Sequence, residues 1–200
     1  MIDFNFISRK YRSVVIGLFF AFHCLAPVPV IAQQKTPLHA HVHGQAQLQL
    51  AIDQTQVSMS FSSPLDNFLG FERAPKDDAE QEKVKQLLHQ LNNPLAWFKL
   101  SDTAECQIKQ LEIDAPALTG KQKSDEQKKH GDLRFEVDLH CKNPQQLRSV
   151  TALVLHQYKG IKRLKLEVVA AIAQATTQAT AQTSVQHAKT LHHDDASFVW

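Results

Sequence analysis

With 200 residues, 22 lysines and arginines against 20 acidic residues, and a formal net charge of +2, the chain lacks the basic surplus that marks a nucleic-acid-binding domain. The same near-balance gives no basis for strong adhesion to an anionic membrane surface. The length suits one domain, or one domain with a tail.

Residues 1–32 read as a secretory signal peptide. Arg9, Lys10 and Arg12 form a basic start, and Val14–Phe22 (VVIGLFFAF) is an apolar stretch of h-region length. Val30-Ile31-Ala32 puts small residues at the −3 and −1 positions of a cleavage site. The apolar stretch falls short of the roughly 20 residues a membrane-spanning helix needs; an uncleaved anchor is the alternative. A lipoprotein site at Cys24 is disfavoured by bulky His23 before it. Cleavage removes three bases and one acid and leaves 19 of each, so the mature chain is near neutral. No later segment is apolar enough to insert in a membrane, and the expected product is soluble and exported.

Ala46, Leu48, Leu50 and Ile52 alternate with Gln45, Gln47 and Gln49, which predicts a half-buried strand. Val57, Met59 and Phe61 repeat the pattern after the polar link DQTQ, so the two predict an antiparallel hairpin. SPLDNFLGFERAP (63–75) has proline near both ends and Gly70 within, and predicts a structured loop whose Leu65, Phe68, Leu69 and Phe71 plug into the core. Residues 76–93 predict a helix, acidic in its first turns, with Val84, Leu87, Leu88 and Leu91 as the buried stripe. After Trp97 and Phe98, residues 106–113 read as a strand, 119–131 as an exposed polar loop, and 133–141 as the clearest alternating strand. Val150–His156 and Ile161–Val169 predict a further strand pair joined across Tyr158-Lys159-Gly160. Residues 173–186 (AQATTQATAQTSVQ) are of low complexity and read as a linker or weak helix. The segment 187–200 carries histidines and aspartates and ends in Phe198-Val199-Trp200, apolar enough for a last strand returning to the sheet. The expected fold is a single α+β domain over residues 33–172, a mostly antiparallel sheet with one main helix.

Cys106 and Cys141 remain after Cys24 leaves with the signal. In an oxidising compartment such a pair is expected to join, closing a loop of 35 residues. Two buried thiols are the alternative, and the lack of C-x-x-C spacing argues against a redox-active pair.

HAHVHG (39–44), SPLDNFLGFERAP (63–75), LRFEVDLHC (133–141) and GIKRL (160–164) together resemble the ZrgA-type periplasmic zinc-binding proteins, over about residues 38–170. The resemblance implies a periplasmic protein of Gram-negative bacteria that binds zinc and assists its acquisition beside an ABC-type importer. It implies no enzyme. Two features depart from the family pattern. TGKQKSDEQKKHG stands where members carry a long His/Asp/Glu-rich tract, leaving only His130 there, and Arg73 stands where the pattern tends to histidine.

The ligand candidates follow from zinc's preference for imidazole, thiolate or carboxylate in a tetrahedral set. Alternate residues of a strand lie nearly 7 Å apart on one face, so His39/His41 or His41/His43 can converge on one ion, whereas the outer pair of a straight strand is about 13–14 Å apart. The remaining ligands then come from elsewhere or through a bend at Gly44; the alternative is a solvated polar edge without metal. His187, His192, His193, Asp194 and Asp195 form the second cluster, to be weighed against a flexible polar tail. Glu136, Asp138 and His140 share one strand face, which a solvated sheet surface explains equally. His89 reads as surface.

Three functions remain open at this level. A zinc-binding accessory protein fits the histidines and the compartment. A zinc hydrolase would need three protein ligands, an open position and a base, and no H-E-x-x-H or G-x-S-x-G occurs. A metal-free interaction module of the envelope is the third.

Overall fold

The computed structural model describes residues 42–119, 131–175 and 180–200. The signal-peptide reading of residues 1–32, His39, His41 and the loop histidine His130 lie outside them. All described residues belong to one compact unit, His39–Trp200. No helix among them is long and apolar enough to cross a membrane.

The architecture is mostly β-sheet. Strands β1 (Gln45–Asp53) and β2 (Gln56–Pro64) form the expected antiparallel hairpin, with Leu48 opposite Phe61 and Leu50 opposite Met59. β2 runs into a one-turn helix α1 (Asp66–Leu69), closed by Gly70 in the left-handed region at φ 78°. Helix α2 (Asp78–Leu91) begins where the Asp77 carboxylate accepts from the Glu80 N–H at 2.8 Å. It buries Val84, Leu87 and Leu91. Short strand β3 (Phe98–Leu100) precedes β4 (Cys106–Asp114), the single turn α3 (Pro116–Thr119) and β5 (Asp132–Cys141). Then come β6 (Ser149–Ala152), the one-turn helix α4 (Val154–Gln157), β7 (Arg163–Ala175), β8 (Thr180–Leu191) and β9 (Ser197–Val199).

Six strands form the large sheet in the order β4-β5-β2-β1-β7-β8, and β3-β6-β9 form a second, three-stranded sheet. One face of the large sheet presents Ala46, Leu48, Leu50, Met59, Phe61, Phe135, Val137, Leu164, Leu166 and Val168, all buried. The opposite face carries the glutamines of β1, Ser58 and Ser60, and Glu136, Asp138 and His140, where the Ser58 hydroxyl donates to Asp138 at 3.1 Å. Phe61 ties the two sheets together: its ring lies 5.0 Å from Phe135, 5.4 Å from Phe98 and 6.0 Å from Trp97, centroid to centroid. Cys106 and Cys141 sit opposite each other on β4 and β5 and form a disulfide.

Three expectations change. Residues 150–156 and 161–169 do not pair with each other. After Ala152 the chain turns through α4; β6 pairs with β3 and β9, and β7 lies parallel to β1, from Gln45 opposite Arg163 to Ile52 opposite Ala170. That parallel pair is the exception in an otherwise antiparallel sheet, and the long crossover it needs is everything between β1 and β7. Secondly, residues 173–175 and 180–186 are strand, not linker or helix: β7 and β8 pair from Leu164–Leu191 out to Ala175–Thr180. Regular backbone pairing and the strand preference of threonine outweigh the alanines there. Thirdly, the last strand β9 returns to the smaller sheet, beside β6, rather than to the large one.

Candidate metal centre

Three separate sequence segments meet at the end of the large sheet where β1 and β7 begin. The first is a tight turn over 42–45, closed by the Gln45 N–H donating to the Val42 carbonyl at 3.1 Å. Gly44 sits in that turn at φ 78°, a conformation that glycine adopts without strain. The Gly44 carbonyl accepts from the N–H groups of Lys162 at 2.7 Å and Arg163 at 3.0 Å, which pins the turn to the start of β7.

Asn67 of α1 is the hub that joins the second segment to the first. Among the described residues it is one of two buried polar ones, and it is 4% exposed. Its side-chain oxygen accepts from the Gly44 N–H at 2.7 Å, and its amide donates to the Gln45 carbonyl at 3.1 Å and to the Ser63 hydroxyl at 2.9 Å. The third segment closes over it. A methyl group added at Gly160 would lie 2.2 Å from the Asn67 carbonyl oxygen, so only glycine lets this backbone approach.

This clamp fixes His43. The turn holds its ring outward, with the side chain 60% exposed, between two carboxylates. Nε2 is 3.0 Å from Glu72 Oε1 and Nδ1 is 3.5 Å from Asp66 Oδ2. Asp66 opens α1 and Glu72 follows Gly70, so the one helical turn between them brings both carboxylates to the same imidazole. Glu72 is only 12% exposed at its side chain. Its backbone packs against Gly131, where a methyl group would lie 2.7 Å from the Glu72 carbonyl. Gly131 in turn accepts from the Leu65 N–H at 2.9 Å. An imidazole so placed can give one nitrogen to a divalent cation with a carboxylate beside it, while the other ring nitrogen is oriented by the second carboxylate.

The other predicted residues divide. His187 lies on β8 opposite Val168, on the half-buried side of the strand, 6.1 Å from the Phe198 ring. It lines a pocket of about 310 Å³ with Ile52, Leu147, Arg148 and Trp200. Five residues of extended chain put roughly 17 Å between the Cα atoms of His187 and His192. His192 to Asp195 form a tight turn, with His192 N–H to Asp195 carbonyl at 3.2 Å and the reciprocal bond at 3.1 Å. Asp195 pairs with Lys189 at 2.7 Å. His193 meets His156 of α4, ring centroids 4.7 Å apart. Asp194 is exposed. The register places this turn at the same sheet end as His43, two strands away, or roughly 10 Å at the backbone by ordinary strand spacing. Among the described residues no group of three or more histidine, cysteine, aspartate or glutamate side chains is arranged to hold a metal ion.

Two further details bound the ligand set. The disulfide removes both thiolates as ligands. Arg73, in the place where the resemblance leads one to look for a histidine, makes a bidentate pair with Glu80 at 2.6 and 2.8 Å. Those bonds and the Lys76 N–H pull the Glu80 carboxyl down to about 2, and the hydrogen bond to Glu80 raises the Arg73 guanidinium further. Sequence reading missed Asp66 and Glu72 as partners of His43, and His156 as the partner of His193. The available signal for the first pair was two acids, at 66 and 72, set among the apolar residues of the 63–75 segment.

The family model described as ZrgA family zinc uptake protein matches residues 40–189, three quarters of the chain. Comparison with curated proteins finds no match.

Proposed function

The chain belongs to the ZrgA family of zinc uptake proteins, and on that premise we propose that it is a periplasmic zinc-binding protein that captures the ion beside His43 and delivers it to an ABC-type importer. The observation that carries this reading is the His43 imidazole held between Glu72 and Asp66 at 3.0 and 3.5 Å. Two ligands of a tetrahedral zinc ion, each about 2.0–2.1 Å from the metal, lie about 3.3 Å from each other. His43 Nε2 and Glu72 Oε1 therefore need to part by only a few tenths of an ångström to admit the ion. Asp66 orients the ring through Nδ1, and His39 and His41, the preceding histidines of the chain, supply further ligands. The disulfide supports an oxidising compartment. The half-exposed ring suits an ion that must leave again. The role is binding and transfer, with no turnover assigned.

The test is a zinc titration of the untagged mature protein at pH 7.5 and 5.5, with His43→Ala and Glu72→Gln alongside. A protonated imidazole cannot ligate, so affinity is expected to collapse at the lower pH. Each substitution should weaken binding at pH 7.5 by at least about tenfold, the scale of loss when a ligand or its support is removed. Equal binding at the two pH values overturns the histidine account, and a parent that takes up no zinc overturns the function.

A further inference from the structure

A second pair of imidazoles lies outside that site. His156 sits in α4 and His193 in the turn between β8 and β9, and their rings are 4.7 Å apart with planes at 87°. Both side chains are exposed. The elements that carry them are anchored separately. Val154 and Leu155 of α4 are fully buried, and the Val154 N–H donates to the Trp97 carbonyl at 3.1 Å. The turn is closed by the His192–Asp195 backbone bonds and by Lys189 on Asp195 at 2.7 Å. Two separately anchored pieces of backbone thus bring the two imidazole rings together at the surface.

We propose that His156 and His193 form a second divalent-cation site, distinct from the one beside His43 and independent of it. Two imidazoles on one tetrahedral zinc ion, with metal–nitrogen bonds of about 2.0–2.1 Å, have ring centres about 5 Å apart. The observed 4.7 Å is within about half an ångström of that separation, and exposed rings rotate between staggered wells at little cost. The two imidazoles are the protein ligands, and water completes the set. With two fixed nitrogen ligands the site binds zinc more weakly than a fuller set, and it prefers Cu²⁺ to Zn²⁺ as divalent sites of this kind do. A weak site two strands from the first gives the ion a place to rest on the same rim.

The experiment uses the untagged mature protein with zinc alone, then copper alone. Zinc equivalents are counted by equilibrium dialysis at pH 7.5 in the parent, His156→Ala, His193→Ala, the double variant and His43→Ala. Histidine ring resonances are followed by ¹H–¹⁵N NMR. His156→Ala and His193→Ala should each remove the same weaker equivalent, the double variant should remove no more, and His43→Ala should retain it. The His156 and His193 ring signals should move together during the titration, with the metal-free melting temperature unchanged in each variant. Retention of all equivalents by both single variants overturns the proposal. Loss in His193→Ala alone also overturns it, because the turn then binds without α4. If all zinc is lost with His43→Ala, the second site is refuted while the first stands.

Discussion

Replacing Asn67 by alanine tests whether one buried amide holds the His43 end of the sheet together. The change removes three hydrogen bonds, those from Gly44 N–H at 2.7 Å and to Gln45 and Ser63 at 3.1 and 2.9 Å. At about 0.5–1.5 kcal/mol net for each bond, the loss is about 3 kcal/mol, and the buried position leaves little water to compensate. For a domain of this size that corresponds to roughly 6–12 °C in Tm. The measurement is urea unfolding by circular dichroism, with midpoint and slope fitted together so that a stability change is separated from loss of two-state behaviour. The same variant should bind zinc at least about tenfold more weakly, because the turn carrying His43 loses its tie to the segment carrying Asp66 and Glu72. Asn67→Asp keeps an acceptor for Gly44 but sets a carboxylate against the Gln45 carbonyl, and should also be destabilised. If Asn67→Ala unfolds within about 1 kcal/mol of the parent and binds zinc unchanged, the hub has been misread.

Two further predictions concern the frame around the site. Reducing the Cys106–Cys141 bridge reopens a 35-residue separation and should cost about 3–4 kcal/mol by chain entropy; an unchanged urea midpoint under reductant refutes this. Glu80 has a folded carboxyl at about 2, below its ordinary 4.5, so its stabilising contribution is present above pH 4.5 and is lost as pH falls toward 2. Glu80→Gln should therefore be less stable than the parent at pH 7, with the gap closing between pH 4.5 and 2; a gap independent of pH excludes the Arg73 pair as its source.

Local chemistry was readable in the sequence where it is also local in the fold. The alternation of β1, β2 and β5, the Asp77-capped helix and the plugging role of Leu65, Leu69 and Phe71 all depend on neighbours within a few residues. Pairing partners were another matter. A period of two tells which face of β7 is buried, but not that its neighbours are β1 and β8 rather than β6. The stretch after Ala173 gave a composition signal for a linker because its strand character rests mainly on pairing with a partner strand, which the threonines only assist. The same limit hid the surroundings of His43. His43 announced itself by spacing, whereas Asp66 and Glu72 reach it only because Asn67 and Gly160 bring distant backbone together. His156 was read inside a strand, where nothing pointed it toward His193.

Placing β1 between β2 and β7 has a consequence for assembly in time. Leu48 has Phe61 on one side within a short hairpin, but Leu166 on the other, more than a hundred residues later. A chain that emerges from its amino end can zip the hairpin at once, yet the middle of its sheet stays open until β7 arrives. Closure is thus a late and long-range event, slow by the ordinary relation between loop length and folding rate. Until then the apolar side of β1 has no second flank, and the half-built sheet is the stage at which this protein is most vulnerable to sticking to its own kind.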